Sequence, residues 1–226
     1  MDYTFQFGEV FRHWPLLAQG ALYTIVFSLV GMSCGLLVGI LGAVARSSRY
    51  RTLRAIAGTY VELVRNTPLL VQLFLFFFAL PSLGIRLTAE QAAMLALVFN
   101  NGAYSTEIVR AGIESIQRSQ HEAAASLGLS PFQTFRYVTI LQALERVYPA
   151  LTSQFILLMM ASSIVSGIGA EELTAFGNRI QSENFRSFEV YIVCAVIYLG
   201  LTFLMKLGFI GLAQILFPRR RALARA

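Results

Sequence analysis

The residues of this chain that could act as a nucleophile, a general base or a metal ligand are few. The sequence holds two histidines, His13 and His121, and two cysteines, Cys34 and Cys194. Both cysteines fall within long apolar stretches, which is typical of small buried hydrophobic residues rather than of a disulfide or a metal pair. Neither histidine lies in such a stretch, and the S-G-I-G run at 166–169 has no partner base. The sequence therefore argues against a serine or zinc hydrolase acting within a membrane.

A second set of residues is polar but uncharged and lies within or beside the apolar stretches. A polar side chain is costly in a hydrocarbon environment, so it is kept there either to bond a neighbouring helix or to bind a ligand. Both interpretations stay open from the residues alone. The members of this set are Thr67, Asn100, Gln154, Ser162 and Ser163.

A short polar segment, H-E-A-A-A-S-L-G at 121–128, separates two of the apolar stretches. Ser119 and Glu122 have the spacing of a capping box, and Gly128 is a natural left-handed helix end. The spacing predicts a helix over 120–127. One face of that helix would carry Ala123, Ala124 and Leu127. The face could dock on another protein, or Glu122 could be only a cap and the alanines only good helix formers.

Two proline-containing sites predict further helix starts. Ser130, Pro131 and Gln133 repeat the capping pattern, which predicts a second helix running on into the next apolar stretch. Thr67 and Pro68 interrupt an apolar stretch, with the threonine as cap and the proline at the first helical position. Such a break would aim amide hydrogens at the middle of a membrane, where they could bind a carboxylate, or it could serve only as a kink.

The composition is that of a membrane protein. The chain is 56% hydrophobic and 13% charged, with a mean hydropathy of +0.63, whereas soluble domains carry about 25% charged residues. We therefore predict an all-α integral membrane protein. A helix that crosses the bilayer needs about 20 mostly apolar residues. That length predicts five transmembrane helices in a single domain over 1–226, at about 20–45, 56–80, 89–113, 137–160 and 190–217.

The arginines predict the orientation in the membrane. The connection after the first span holds four arginines within 46–54, and the tail holds four within 219–225, whereas the amino-terminal tail has only Arg12. Positive residues favour the cytoplasmic side, so the N-terminus is predicted to be periplasmic and the C-terminus cytoplasmic. The segment 114–136 then faces the cytoplasm. The net charge of +6 has the same explanation, and nucleic acid is not a predicted partner.

Several motifs, taken together, resemble one known family. E-A-A-A-S-L-G at 122–128 looks like the EAA loop of permease subunits of binding-protein-dependent ABC importers. V-R-N-T-P-L-L-V-Q at 64–72, A-Y-S-T-E-I-V-R-A-G-I at 103–113, F-Q-T-F-R-Y-V at 132–138 and I-G-A-E-E-L at 168–173 are similar to motifs of its polar amino acid branch, the histidine, glutamine and arginine type.

The resemblance covers about 15–217 and implies a type I importer transmembrane fold in the bacterial inner membrane. It implies an amino acid permease that works by alternating access with three kinds of partner: a dimer of ATP-binding cassette subunits, a second permease subunit, identical or paralogous, and a periplasmic amino acid binding protein. Membrane lipid surrounds the assembly. ATP and Mg would be bound by the partner ATPase and no cofactor by this chain, which has no G-x-x-x-x-G-K-[ST] loop. The residues coupled to the ATPase would be Glu122, Ala123, Ala124, Leu127 and Gly128.

The fourth predicted span departs from the family pattern. Many amino acid permeases read N-E-F-I-L-L-L-K-D-T-S there, whereas 153–163 reads S-Q-F-I-L-L-M-M-A-S-S. Gln154, Met160 and Ala161 thus replace an acid, a lysine and an aspartate. We expect a neutral substrate pathway made by Gln154, Ser162 and Ser163, with Asn100 and Thr67 nearby. Either the substrate has an uncharged side chain or a paralogous partner supplies the charged half of the site.

A different function class also accommodates the apolar composition. The chain could be a small channel or a membrane receptor subunit that needs no ATPase. The 119–128 segment distinguishes the two, because a permease requires it for ATPase association. In neither case is the chain itself an enzyme.

Overall fold

The computed structural model describes residues 4–217, and within that range every regular element is a helix. The tail arginines at 219–221 and Arg225 lie outside the described residues. The helices are α1 Phe7–Phe11, α2 Trp14–Arg46, α3 Arg51–Arg65, α4 Leu69–Phe74, α5 Ala89–Glu114, α6 Arg118–Ser126, α7 Pro131–Thr134, α8 Ile140–Ala161, α9 Leu173–Asn184 and α10 Ser187–Leu216.

Two of these helices continue through tighter or wider turns. A π-helical turn over Phe135–Thr139 joins α7 to α8, and a 3-10 segment over Ser162–Ile168 extends α8. A π-helical turn over Leu75–Ala79 and a 3-10 turn over Leu80–Leu83 extend α4 in the same way.

Three helical stretches in the described range are long and apolar enough to cross a membrane. They are Trp14–Arg46, Pro131–Ile168 and Ser187–Leu216. The pair Arg51–Arg65 and Leu69–Leu83 passes the same test as one unit, although its two halves meet at 108°. Helix α5 occupies the predicted third span, but Glu90, Asn100 and Asn101 are among the polar residues that make it less apolar. The all-helical prediction is therefore confirmed, while five spans remain a prediction.

Helices α2 and α5 pack closely because small residues line their contact. A Cβ added at Gly35 would lie 2.5 Å from Asn101 Nδ2, and one at Gly39 would overlap Ser105. Asn101 also donates to the Gly31 carbonyl at 3.3 Å. Small residues spaced four apart let two helix backbones approach closely. Within a bilayer, where lipid is as apolar as the helices, such close packing is what favours helix association. This pair forms the centre on which the other helices pack.

A buried carboxylate and its neighbours fix α9 against α2 and α10. Glu172 is fully buried and caps α9, accepting from the amides of Thr174 and Ala175 at 2.9 Å each. The Tyr198 hydroxyl on α10 donates to it at 2.5 Å, and the Leu173 amide donates to Thr24 on α2 at 3.2 Å. Burial raises the pKa of Glu172, while Tyr198 and the two amides lower it by bonding the charged form.

The two cysteines have different surroundings. Cys194 is buried in the cluster formed by α9, α10 and the start of α2, as its apolar context indicates. Cys34 is exposed on α2, so the prediction that it is buried is wrong. The reason is that α2 is apolar all round, and apolar neighbours in sequence then do not show which of its faces packs against protein. Neither cysteine forms a disulfide.

Candidate functional site

A cavity of about 460 Å³, which we call the break cavity, lies where the break between α3 and α4 meets α5 and α8. Three of the five polar residues proposed from the sequence line it, namely Thr67, Asn100 and Gln154. They come from parts of the chain that are far apart in sequence. The complete lining is Arg65, Asn66, Thr67, Pro68, Leu69, Asn100, Tyr104, Gln154, Leu157, Leu158, Ala161 and Ile164.

The two serines proposed for the substrate pathway do not line the break cavity. Ser162 is fully buried and donates to the Met159 carbonyl at 2.7 Å. Ser163 donates to the Met160 carbonyl at 2.8 Å. Both hydroxyls thus satisfy backbone groups where the α-helix tightens into a 3-10 segment. The neighbouring Ala161 does line the cavity.

Gln154 differs from the serines because its side-chain amide has no hydrogen-bond partner within residues 4–217. It is half-buried on α8 and lines the break cavity. A role in bonding another helix of this chain would require such a partner. The structure therefore leaves Gln154 with donors and acceptors available to a ligand or to a second subunit.

The helix break is built one residue later than the sequence suggests. Pro68, not Thr67, is the residue before α4, with an extended backbone at φ −61° and ψ 141°. The Thr67 hydroxyl donates backwards to the carbonyl of Leu63 at 2.9 Å and approaches that of Val64 at 3.3 Å. Thr67 therefore satisfies the end of α3 rather than the start of α4, so the predicted Thr67 cap on α4 is wrong. The first turn of α4 is not capped by a side chain.

One buried glutamine braces this break. Gln72 is 5% exposed, and its amide nitrogen donates to the Val64 carbonyl at 2.8 Å and to the Thr67 carbonyl at 3.0 Å. The same nitrogen lies 2.9 Å from the Thr67 hydroxyl. Its amide oxygen accepts from Asn100 Nδ2 at 3.1 Å. A single side chain thus joins the end of α3, the start of α4 and the middle of α5.

Arg65 is the one charged residue among the described residues that line the break cavity. Its guanidinium carbon lies 5.5 Å from the centre of the Tyr104 ring, a distance at which a cation interacts favourably with an aromatic face. A guanidinium is always charged and is well shaped to bind a carboxylate. The break cavity therefore offers one cation, several neutral amides and hydroxyls, and an aromatic surface.

Arg65 also lines a second cavity of about 520 Å³ on the side of the α5 C-terminus. Glu107 lies there and is held by Arg110 at 2.7 Å and by Arg46 of α2 at 3.2 Å. Its side chain is only 15% exposed. The spacing of Glu107 and Arg110 in the sequence indicates that pair alone, and the contact with Arg46 becomes visible only in the fold. The Arg146 guanidinium, in the same cavity, donates to the Ser115 carbonyl. Within residues 4–217 no cluster of three metal-ligating acidic, His or Cys side chains occurs.

The predicted cytoplasmic segment forms the short helix α6, Arg118–Ser126. The predicted capping box is wrong, because α6 begins earlier, after Gln117, and no side chain caps it. Glu122 instead forms an ion pair with Arg118, one turn back, at 3.1 Å. Both side chains are mostly exposed, so this pair contributes little to stability. The Glu122 carboxylate therefore lies on the surface of the helix and does not accept a hydrogen bond from a backbone amide of the first turn.

The end of α6 is confirmed as predicted. Gly128 has φ +74°, and its amide donates to the Ala125 carbonyl at 2.9 Å. The Leu129 amide donates to the Ala124 carbonyl at 3.1 Å, which completes a Schellman motif. The capping box that follows is also confirmed: Ser130 accepts from the Gln133 amide, and the Gln133 side chain accepts from the Ser130 amide. The turn between α6 and α7 is therefore fixed by its own hydrogen bonds.

The alanine face of α6 does not point in one direction. Ala124 is 3% exposed and packs on the chain, whereas Ala123 is exposed and Leu127 is 80% exposed. Phe132, on the other side of the Gly128 turn, is 75% exposed. Leu127 and Phe132 are therefore large apolar side chains exposed in a segment whose other exposed residues, Glu122 among them, are mostly polar. We call the exposed side of 118–132 that carries them the outward surface of α6. Phe132 was not singled out by sequence reasoning, and its place after a capped turn is the signal that could have found it.

Comparison with known proteins identifies the family. A sequence model of the family described as "Binding-protein-dependent transport system inner membrane component" matches residues 35–222. The glutamine transport system permease protein GlnP of Escherichia coli strain K12 is 36% identical over 204 residues, covering 89% of this chain and 93% of that relative. The L-cystine transport system permease protein TcyB of Bacillus subtilis is 35% identical over 195 residues, covering 86% and 83%.

A solved structure agrees with these relatives. The structure described as an amino acid ABC transporter with histidines has a TM-score of 0.88 and 37% identity, covering 96% of this chain and all of that one. Sequence and fold therefore give the same answer over nearly the whole chain. This chain belongs to the family of binding-protein-dependent transport system inner membrane components, the permease subunits of ABC importers, in which a separate subunit hydrolyses ATP.

Proposed function

We propose that this chain is the membrane-spanning subunit of an ATP-driven importer for amino acids with uncharged polar side chains, and that the break cavity binds the substrate. The observation that carries the proposal is the charge of the cavity lining. Arg65 is its one cation among the described residues, and Thr67, Asn100 and Gln154 are neutral. Every amino acid has an α-carboxylate, which Arg65 can bind.

The side chain of the substrate must then be satisfied without a further charge. A basic side chain would need a carboxylate in the cavity, and an acidic one would need a second cation, because an unpaired charge away from water is costly. An amide or hydroxyl side chain would be satisfied by Gln154, whose donors and acceptors have no partner in the described chain. The relatives named for glutamine and L-cystine support an amino acid as the substrate class.

The helices and the arginines of the sequence support a membrane arrangement that we propose as well. We place α2, the bent pair α3–α4, α5, the α7–α8 rod and α10 as five spans of one domain in the bacterial inner membrane, N-terminus periplasmic and C-terminus cytoplasmic. Helix α5 qualifies by position although it is less apolar, because its polar residues face α2, the break cavity and the second cavity. A cysteine introduced at Ser126, with Cys34 and Cys194 replaced, would react with an impermeant maleimide only from the cytoplasmic side.

The proposed contact with the ATPase is the outward surface of α6 and the Gly128 turn. Leu127 and Phe132 are large apolar side chains exposed in a polar connection, which supports a protein-binding surface here. The Schellman motif and the capping box hold that surface in one orientation. Glu122, Ala123, Ala124 and Gly128 shape it. ATP and Mg would be bound only by the partner ATPase subunits.

Transport by alternating access fits the two cavities. Arg65 lines both of them, so a substrate held at Arg65 stands at the boundary between the break cavity and the second cavity. Movement of α6 by the ATPase would pass directly to α7–α8 and to the end of α5, which bound these cavities. A second permease subunit, identical or paralogous, would complete the pathway, and a periplasmic binding protein would deliver the amino acid.

A comparison of the affinities for three amino acids tests this proposal. The chain, purified with its ATPase subunit, would be titrated calorimetrically with L-glutamine, L-glutamate and L-arginine. We expect L-glutamine to bind at least about tenfold more tightly than either charged amino acid, since the described lining of the cavity holds no carboxylate for a basic side chain and no second cation for an acidic one. Equal binding of L-arginine or L-glutamate would contradict the neutral-substrate proposal. Binding of none of them would contradict the assignment of the break cavity.

A further inference from the structure

The orientation of the Gln72 side chain is determined by its acceptors. Two of the atoms that it approaches on the α3–α4 side, the carbonyl oxygens of Val64 and Thr67, can only accept hydrogen bonds. The end of the Gln72 amide that faces them must therefore be the NH₂ group. With Gln72 only 5% exposed, water cannot replace these partners readily. The amide oxygen of Gln72 is thereby turned towards α5.

This orientation in turn fixes Asn100. Because the Gln72 oxygen can only accept, Asn100 must present its NH₂ group, and the Nδ2 atom lies 3.1 Å from that oxygen. The Asn100 oxygen Oδ1 then has no donor among residues 4–217. Asn100 is half-buried and lines the break cavity. A hydrogen-bond acceptor of fixed position is thus left available in a cavity whose one cation among the described residues is Arg65.

We propose that Asn100 Oδ1 accepts a hydrogen bond from the α-ammonium group of the substrate, and that Gln72 is the positioning residue that gives Asn100 this polarity. The inference rests on the proposed function of the break cavity and extends it. An amino acid is a zwitterion, so a site with Arg65 for the carboxylate and an amide oxygen for the ammonium matches both ends without a buried unpaired charge. Gln72 itself does not line the cavity and acts only through Asn100 and the helix break.

A neutral acceptor also suits a transporter. A carboxylate at position 100 would line the same cavity as the Arg65 guanidinium, and a pair between them would compete with the substrate for Arg65. An amide oxygen binds the ammonium group without forming that pair. The NH₂ group of Gln72 donates to the carbonyls of Val64 and Thr67. Gln72 therefore cannot rotate to donate to Asn100 without breaking the hydrogen bonds that hold the helix break. The break and the polarity of the site are therefore set by the same side chain.

The test compares L-glutamine with glutaramate, the same molecule without its α-amino group. Dissociation constants for both would be measured by calorimetry on the complete permease–ATPase complex. For the unmodified protein we expect L-glutamine to bind about 10- to 100-fold more tightly, the effect of a hydrogen bond to a charged group. In Gln72→Met this ratio should fall to about threefold or less, because Asn100 is then free to turn its NH₂ group into the cavity. Glutaramate affinity should change much less than L-glutamine affinity.

Control variants separate positioning from simple damage to the fold. Gln19→Met replaces an exposed glutamine of α2 and should leave the ratio unchanged. Asn100→Leu should lower the ratio of the two affinities to about threefold or less, as Gln72→Met does. It tests the ammonium contact if Gln72→Met does not assemble. A Gln72→Met complex that binds both ligands more weakly but keeps the full ratio would overturn the positioning role while leaving the proposed function intact. An unmodified complex that binds L-glutamine and glutaramate equally would overturn the ammonium contact, and one that binds neither would overturn the proposed function as well.

Discussion

The guanidinium of Arg65 lies over the ring of Tyr104, 5.5 Å from its centre, at the boundary shared by the break cavity and the second cavity. Arg65 comes from the end of α3 and Tyr104 from the middle of α5, so the contact joins the broken helix to the centre of the domain. The aromatic face favours a cation without neutralising it. Arg65 therefore keeps its charge available for an anionic group of a ligand.

Replacing Arg65 should weaken binding of every amino acid substrate. We predict that Arg65→Gln raises the dissociation constant of L-glutamine by about 10- to 100-fold, since a charge-assisted hydrogen bond is lost. Tyr104→Phe keeps the aromatic ring and is the matched control, with a change of about threefold or less. Titration calorimetry on the permease–ATPase complex measures both. Unchanged affinity in Arg65→Gln would exclude Arg65 as the carboxylate partner.

Replacing Gln154 tests the side-chain end of the same site. We predict that Gln154→Ala weakens L-glutamine binding about tenfold and raises the KM of uptake, because an amide of the substrate loses its partner. Ser163→Ala, which removes a hydroxyl bonded only to the Met160 carbonyl, should leave affinity unchanged. Direct binding and proteoliposome uptake should agree for both variants. If Gln154→Ala retains full affinity and uptake, Gln154 is not part of the substrate site.

The outward surface of α6 and the Gly128 turn should bind the ATPase. Leu127→Asp and Phe132→Asp place charges on side chains that are 80% and 75% exposed, so folding should be preserved while docking is lost. We predict that each variant lowers co-purification of the ATPase subunit by about tenfold or more. Phe185→Asp, at a position that is 82% exposed between α9 and α10, is the control. Co-purification of the ATPase at full yield with Leu127→Asp and Phe132→Asp would contradict this docking surface.

The ion-pair network around Glu107 should stabilise the packing of α2 on α5. Glu107 is bound by Arg46 and Arg110 with only 15% of its side chain exposed. We predict that Glu107→Gln lowers the melting temperature by about 3–8 °C, because partly buried Arg46 loses its carboxylate partner and Arg110 keeps only Glu114. Glu9→Gln breaks the exposed pair with Arg12 and should leave the melting temperature unchanged. Equal melting temperatures for both variants and the parent protein would show that the network is not structural.

Sequence patterns predicted the helices well where a local rule decided them. The Gly128 end of α6 and the Ser130–Gln133 capping box depend on neighbouring residues alone, and both are present. The bend after Arg65 is likewise set by a local residue, Pro68. The predicted capping box at Ser119 is wrong because a serine and a glutamate three residues apart can also lie inside a helix that starts earlier. Only the surrounding fold decides between the two starts.

The residues around the break cavity were predicted in part, and the part that was missed depends on contacts between residues far apart in sequence. Thr67, Asn100 and Gln154 were found because polar side chains stand out in apolar stretches. Gln72 and Tyr104 were missed because their roles depend on partners across the helix break or on another helix. Sequence spacing does not show whether a serine near the end of a span faces a cavity or its own backbone, which is why Ser162 and Ser163 were included.

ATP-driven uptake through this chain can be measured as transport by the reconstituted assembly. The chain, its ATPase subunit and its periplasmic binding protein would be placed in proteoliposomes with radiolabelled L-glutamine. We predict accumulation against a gradient that requires hydrolysable ATP and is abolished when residues 119–128 are deleted. Uptake that persists without ATP, or that survives the deletion, would contradict the account and would favour a channel that needs no ATPase.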